Sequence, residues 1–204
     1  MTKFRLAIIA TAFVALIGLA GLNYYISFKD SQRSSTTDLD PSMLPGGAFT
    51  LTDQNGQVVT EGALKGKWTA VFFGYTYCPD FCPLTLQTLA ATQKQLGGKA
   101  KDFQVIFISV DPARDTPASL KAYLNSGGMP KATIGLTGTQ DQIDAAVKAY
   151  RTTATKVGAG DLYTYQHTTA VFLMDPKGRY NSAYGYGIQP DEMADMIKDA
   201  MAGR

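Results

Sequence analysis

The chain has one histidine, two cysteines and one tryptophan among 204 residues. So small a set leaves few ways to build a metal or redox centre. Charge of one sign is also scarce: 19 basic against 17 acidic residues leave a net charge of +2. The basic residues do not cluster with aromatics, so nucleic-acid binding has no support. No internal repeat is present. What remains is an ordinary globular composition, 45% hydrophobic and 18% charged, with a length that suits one domain plus an appendage.

The appendage is N-terminal. Lys3 and Arg5 precede an uncharged run from Leu6 to Leu22, and Tyr24, Tyr25 and Ile26 extend it. The run approaches the ~20 residues that a bilayer-spanning helix needs, and the two tyrosines suit the far headgroup level. Residues 1–26 are thus expected to form a transmembrane anchor, with a cleaved signal peptide as the rival reading. Residues 27–45 are polar, without apolar periodicity, and as flexible coil would span roughly 20–25 Å. The positive flank stays in the cytoplasm. A domain at 46–204, held at a bacterial inner membrane and facing the periplasm, is the expected arrangement.

Along that domain, Asn55-Gly56 between apolar-alternating segments predicts a hairpin. Trp68 to Tyr75 and Phe103 to Val110 read as buried strands. Between them Leu86, Leu89, Ala90 and Leu96 keep a helical face. Thr116 with Pro117 predicts an N-cap and first helical position, and Thr139 to Gln142 has the form of a capping box. Lys156 to Gln166 reads as irregular. Strands at Ala170 to Met174 and Arg179 to Tyr184 follow, then a helix from Pro190 that buries Met193, Met196, Ile197 and Ala200. Strands alternating with helices predict an α/β sheet covered on both faces. The order matches a thioredoxin-like fold with an added N-terminal hairpin and an inserted helix.

The chemistry lies in Gly74-Tyr75-Thr76-Tyr77-Cys78-Pro79-Asp80-Phe81-Cys82-Pro83, which holds both cysteines at a strand-to-helix junction. Two such thiols can form a disulfide, exchange one, or grip a soft metal. A loop closed over four positions stabilises a fold little, so a structural staple is a poor explanation. Positions i and i+4 of a first helical turn would face one side, and the helix N-terminus would help both thiols ionise. In a thioredoxin-like fold, the segment before the penultimate strand packs against such a cysteine pair. His167-Thr168-Thr169 occupies that place. Two thiolates and one imidazole make a trigonal set suited to Cu(I), and able to take Cu(II) with an added ligand. Structural zinc would want a fourth protein ligand.

Phe73 to Pro83, Val110-Asp111-Pro112-Ala113-Arg114-Asp115-Thr116, Leu136-Thr137-Gly138-Thr139 and His167 together resemble the signatures of the Sco/SenC copper proteins. The resemblance implies a metallochaperone in which Cys78, Cys82 and His167 bind one copper. It also implies delivery to the dinuclear copper centre of cytochrome c oxidase during assembly. The implied partners are the copper-accepting oxidase subunit and other copper chaperones or thiol reductants. The alternative use of the same cysteines is a thiol–disulfide oxidoreductase that reduces those of the oxidase copper site. Asp111, Arg114 and Asp115 are expected to brace the turn beside the site, or simply to cap the following helix, rather than ligate.

Overall fold

The computed structural model describes residues 43–203 together with residues 18 and 21–23. Asn55 and Gly56 form the tip of the first hairpin, which pairs β1 (Thr50–Asp53) with β2 (Val58–Thr60). Gly56 takes a positive φ of 80° at the tip, and one Asp53 oxygen accepts from the N–H groups of Asn55 and Gln57. A short 3₁₀ turn at Glu61–Leu64 leads to β3 (Trp68–Gly74) and α1 (Phe81–Gln95). After a second 3₁₀ turn, Gly97–Asp102, come β4 (Phe103–Ser109), α2 (Pro117–Leu124), β5 (Ile134–Thr137) and α3 (Gln140–Ala149). The remainder is β6 (Ala154–Val157), β7 (Thr164–His167), β8 (Val171–Met174), β9 (Tyr180–Tyr184) and α4 (Pro190–Met201).

Seven strands make one sheet in the order β2-β1-β5-β4-β3-β8-β9. The central β5, β4 and β3 run parallel, and the flanking pairs are antiparallel. β6 and β7 form a separate two-stranded ribbon. The apolar runs of β3 and β4 have no polar alternation because both of their faces are covered. On one face, Phe72 pairs in register with Phe107, and Gly135 lies under Leu120 and Leu124 of α2. On the other, Phe73 meets Tyr150 at the end of α3 at a centroid distance of 5.2 Å. Phe72, Phe73, Phe107 and Tyr150 are fully buried, a burial that contributes about 1.5–3 kcal/mol for each Phe.

The caps at Thr116 and Thr139 form as expected, the latter as a complete capping box. Two expectations need correction. The stretch 156–166 is not irregular: most of it builds β6, a 3₁₀ turn at Gly160–Leu162, and β7. Met196 is exposed, although Met193 and Ile197 are buried. The anchor at 1–26 and the linker at 27–45 fall almost wholly outside the described residues. Among the described residues no helix is long and apolar enough to cross a membrane.

Candidate metal centre

β3 delivers the chain to the site and Gly74 sets how close the next turn can come. A Cβ at Gly74 would lie 3.0 Å from the Cys82 Sγ and 2.8 Å from the Phe107 ring. Only the missing side chain lets the first turn of α1 press its thiol onto the end of the strand. Cys82 lies in that first turn, whereas Cys78 precedes the helix, its N–H bonded to the Tyr75 carbonyl at 3.2 Å. The expected same-turn i, i+4 pair is therefore a loop cysteine facing a helical one. The Asp80 side chain at the N-cap makes no capping bond. The Cys78 sulfur accepts one instead, from the Cys82 N–H at 3.4 Å.

His167 closes the site from the separate ribbon. It is the last residue of β7 and pairs with Ala154 of β6. Its Nε2 lies 3.4 Å from the Cys82 Sγ, and its Nδ1 lies 3.0 Å from the Thr168 carbonyl. A carbonyl only accepts, so Nδ1 carries a proton, and Nε2 is the ring atom that faces the sulfurs. The ring packs edge-on against Phe72 and Tyr75, at centroid distances of 6.2 and 5.9 Å. The Tyr75 hydroxyl bonds Thr164 at 2.6 Å and accepts from the Tyr165 N–H at 3.4 Å, tying the ribbon to the loop after β3. The segment before the penultimate strand does pack against the cysteine pair, and the end of β7 supplies it.

The two thiols are unequal. The Cys78 thiol is held down to about 5, first by the hydrogen bond from the Cys82 thiol. The N–H groups of Asp80 and Cys82 and the His167 ring add to this, while burial opposes it. Cys82 is pushed far above the ordinary thiol range, by its bond with Cys78 and then by burial. The expectation that both thiols ionise readily holds for Cys78 alone. One proton is shared over the pair, and the more open sulfur carries the negative charge.

The acidic residues of the Asp111 to Asp115 turn serve as braces. Asp115 is fully buried and accepts from the Thr76 N–H at 3.0 Å, the Thr76 hydroxyl and the Ser109 hydroxyl. Burial raises its pKa against those bonds. Asp111 accepts from Arg114 and from the Tyr163 hydroxyl at 2.7 Å. The Arg114 guanidinium sits 3.7 Å over the Tyr163 ring and 4.7 Å from that of Tyr77, and it bonds the Tyr163 carbonyl. This network ties the cysteine loop and the histidine ribbon to the turn after β4. Gly74 and Tyr75 stood in the sequence only as members of the cysteine segment, which was the one available signal of their place at the site.

Cys78 Sγ, Cys82 Sγ and His167 Nε2 all lie within 4.8 Å of one another. Cys78 and His167 open on a cavity of about 340 Å³ lined also by Pro79, Phe81 and Gln166. Among the described residues no carboxylate joins the cluster. Met43 is exposed at 61%, and Met129 lines a different cavity. A set of two soft sulfurs and one imidazole suits a three-coordinate soft ion and falls one ligand short of a structural zinc site.

Fold and site together define a thioredoxin-like α/β protein with a soft-metal or thiol-exchange centre. The chain belongs to the SCO1/SenC family, whose model matches residues 38–202. It is 37% identical over 198 residues to mitochondrial SCO2 of Saccharomyces cerevisiae, covering 92% of this chain and 65% of that protein. The copper-bound structure of Bradyrhizobium japonicum ScoI superposes with a TM-score of 0.69 at 44% identity, over 76% of this chain and 98% of that one. BsSco, a member of the Sco family of cytochrome c oxidase assembly proteins in which a disulfide switch was identified, matches with a TM-score of 0.63 at 26% identity. That match covers 82% of this chain and all of the other.

Proposed function

We propose that this protein is a copper chaperone for cytochrome c oxidase assembly. Cys78, Cys82 and His167 bind one copper, Cu(I) or Cu(II), and pass it to the dinuclear copper centre of the oxidase. The observation that carries the reading is the convergence of those three donor atoms within 4.8 Å. The copper-bound ScoI structure and the description of BsSco as an oxidase assembly protein support it. A three-coordinate site opening on a cavity leaves room for an acceptor thiol or imidazole to enter before a donor leaves. Cys82 is fully buried while Cys78 is at the margin of burial at 9%. Cys78 and His167 are therefore the donors that an acceptor reaches first, and Cys82 is the one that retains the ion longest.

Residues 1–26 would anchor the protein in the inner membrane and residues 27–45 would let the periplasmic domain, residues 46–204, reorient toward the oxidase. Copper here is cargo, and its loading is the direct test. Titration of the reduced protein with Cu(I) against a competing chelator is expected to give one tightly bound ion. His167→Ala is expected to lower that affinity at least tenfold while the fold, read by circular dichroism, is retained. Unchanged affinity in His167→Ala would remove His167 from the site.

A second reading, thiol–disulfide exchange with the acceptor's cysteines, is favoured by one specific observation. The pair holds a low-pKa thiolate at Cys78 beside a buried, protonated partner at Cys82, the division of labour that an attacking and a resolving thiol need. Cys82→Ser would trap a mixed disulfide with the acceptor if exchange occurs. Absence of that adduct under oxidising conditions would exclude the second reading and leave the first intact.

A further inference from the structure

The C-terminal half of α1, the 3₁₀ turn at Gly97–Asp102, the starts of β3 and β4 and the loop before β5 enclose a second cavity. Its volume is about 680 Å³, against about 340 Å³ beside Cys78. Ala90, Ala100, Phe103 and Met129 give it an apolar floor, and Lys67, Lys94, Lys101 and Lys131 stand round it. All four lysines are exposed, and among the described residues no carboxylate lines the cavity. None of the ion pairs among the described residues involves them. Four positive charges at one mouth are out of proportion to a chain-wide excess of +2. The C-terminus of α1 supplies only about half a negative charge there, and Asp102 next to Lys101 supplies one more. The excess remains positive.

The rim is also built rather than incidental. The Gln93 side chain clamps the backbone of Lys131, donating to its carbonyl at 3.2 Å and accepting from its N–H at 2.9 Å. The next residue, Ala132, is held at φ +55°. A left-handed non-glycine residue is costly and persists only where its surroundings over-determine it. Here that conformation turns the loop bearing Lys131 over the apolar floor.

We propose that this cavity receives the phosphodiester headgroup of an anionic bilayer phospholipid, with the glycerol and upper acyl region on the Phe103–Met129 floor. Phosphate alone would satisfy the ammonium groups and leave the floor unused. The cavity lies at the start of β3 and β4, and Cys78 and Cys82 lie beyond the end of β3, about 20 Å away along a seven-residue strand. A domain seated on lipid by this pole therefore turns its thiols and His167 away from the bilayer, toward a protein acceptor. The inference goes beyond copper binding and rests on none of the three donor residues.

The reporter is built in, since Trp68 is the only tryptophan and directly follows Lys67 at the cavity. The test uses residues 44–204, which contain the whole core as one compact unit. The solved ScoI chain, matched over 98% of its length while covering 76% of this one, shows that a chain of this extent folds by itself. Vesicles of phosphatidylglycerol mixed with phosphatidylcholine should bind the domain in co-sedimentation, and nitroxide-labelled lipid should quench Trp68. Pure phosphatidylcholine vesicles should do neither. Each Lys→Gln change at positions 67, 94, 101 and 131 should lower partitioning by about fivefold. The quadruple variant should lose it, as should the wild type in about 0.5 M salt. Lys148→Gln, on another surface, should have no effect. Equal binding to pure phosphatidylcholine, or undiminished binding by the quadruple variant, would overturn the proposal. Tight binding of inorganic phosphate with the same loss in the quadruple variant, without vesicle binding, would assign the cavity to a free anion and overturn the lipid. Copper stoichiometry, read separately on the same variants, stays at one whatever the vesicles report.

Discussion

Alkylation of the reduced, metal-free protein across pH tests the unequal thiols directly. The perturbation is pH, and the assay follows iodoacetamide addition to Cys78 by mass spectrometry. An ordinary thiol of pKa ~8.5 is only about 3% thiolate at pH 7, whereas one near 5 is almost wholly ionised, a gain of about thirtyfold. A lower pKa also weakens the nucleophile, by about 0.4–0.5 logarithmic units per pKa unit, and so costs roughly fortyfold over the same interval. The two effects nearly cancel. The rate at pH 7 should thus resemble that of a free thiol within a factor of a few. What distinguishes Cys78 is the midpoint of the pH–rate curve, expected at about 5. Cys82, fully buried and protonated, should remain unmodified in the folded protein. Cys82→Ala removes the largest cause of the low pKa and should move the midpoint upward by more than one pH unit. His167→Ala removes the smallest of the named causes and should move it less. A wild-type midpoint near 8.5, or a larger shift with His167→Ala than with Cys82→Ala, would refute the assignment of the shared proton.

Two further outcomes follow from the same geometry. Because Cys78 is ionised and Cys82 protonated near neutrality, loading one Cu(I) at pH 7 should release close to one proton, measurable by calorimetry in buffers of different ionisation enthalpy. The sign then follows: affinity falls about tenfold per pH unit as the pH drops toward 5, and about a hundredfold per unit below it, where both thiols must be deprotonated. Release of two protons at pH 7 would contradict the unequal pair. Asp115→Ala strands the fully buried Ser109 hydroxyl and leaves the half-buried Thr76 N–H and hydroxyl without their acceptor. Urea unfolding should show a loss of about 2–4 kcal/mol, and a loss below about 1 kcal/mol would show that the carboxylate braces nothing.

The elements most readily found from sequence were those whose determinants are local. The caps at Thr116 and Thr139 need only a hydroxyl three residues from a free N–H, and both formed. β3 and β4 announced themselves as unbroken apolar runs. β6 and β7 went unrecognised because their stability is not in their own pattern. The ribbon is mostly exposed, and Tyr75, Arg114 and Asp111 hold it from 49 to 90 residues away in sequence. Met196 failed for the opposite reason: its helical spacing was right, but no neighbouring element covers that flank of α4.

The sequence by itself determined which atoms are available: two thiols at one strand-to-helix junction, a single imidazole, and the segments that resemble the Sco/SenC proteins. It also determined the thioredoxin-like order, since alternation of strand and helix is written in local periodicity. Only the tertiary structure decided that Cys78 precedes the helix and so accepts the Cys82 N–H, which separates the two thiols in acidity. Only it decided that Gly74 must lack a side chain for Cys82 to reach the strand, and that His167 presents Nε2 because Thr168 takes the proton on Nδ1. Apart from the His167–Thr168 bond, those outcomes depend on contacts between residues from four to 85 positions apart. No local pattern encodes such contacts, because each forms only when the sheet has brought its partners together.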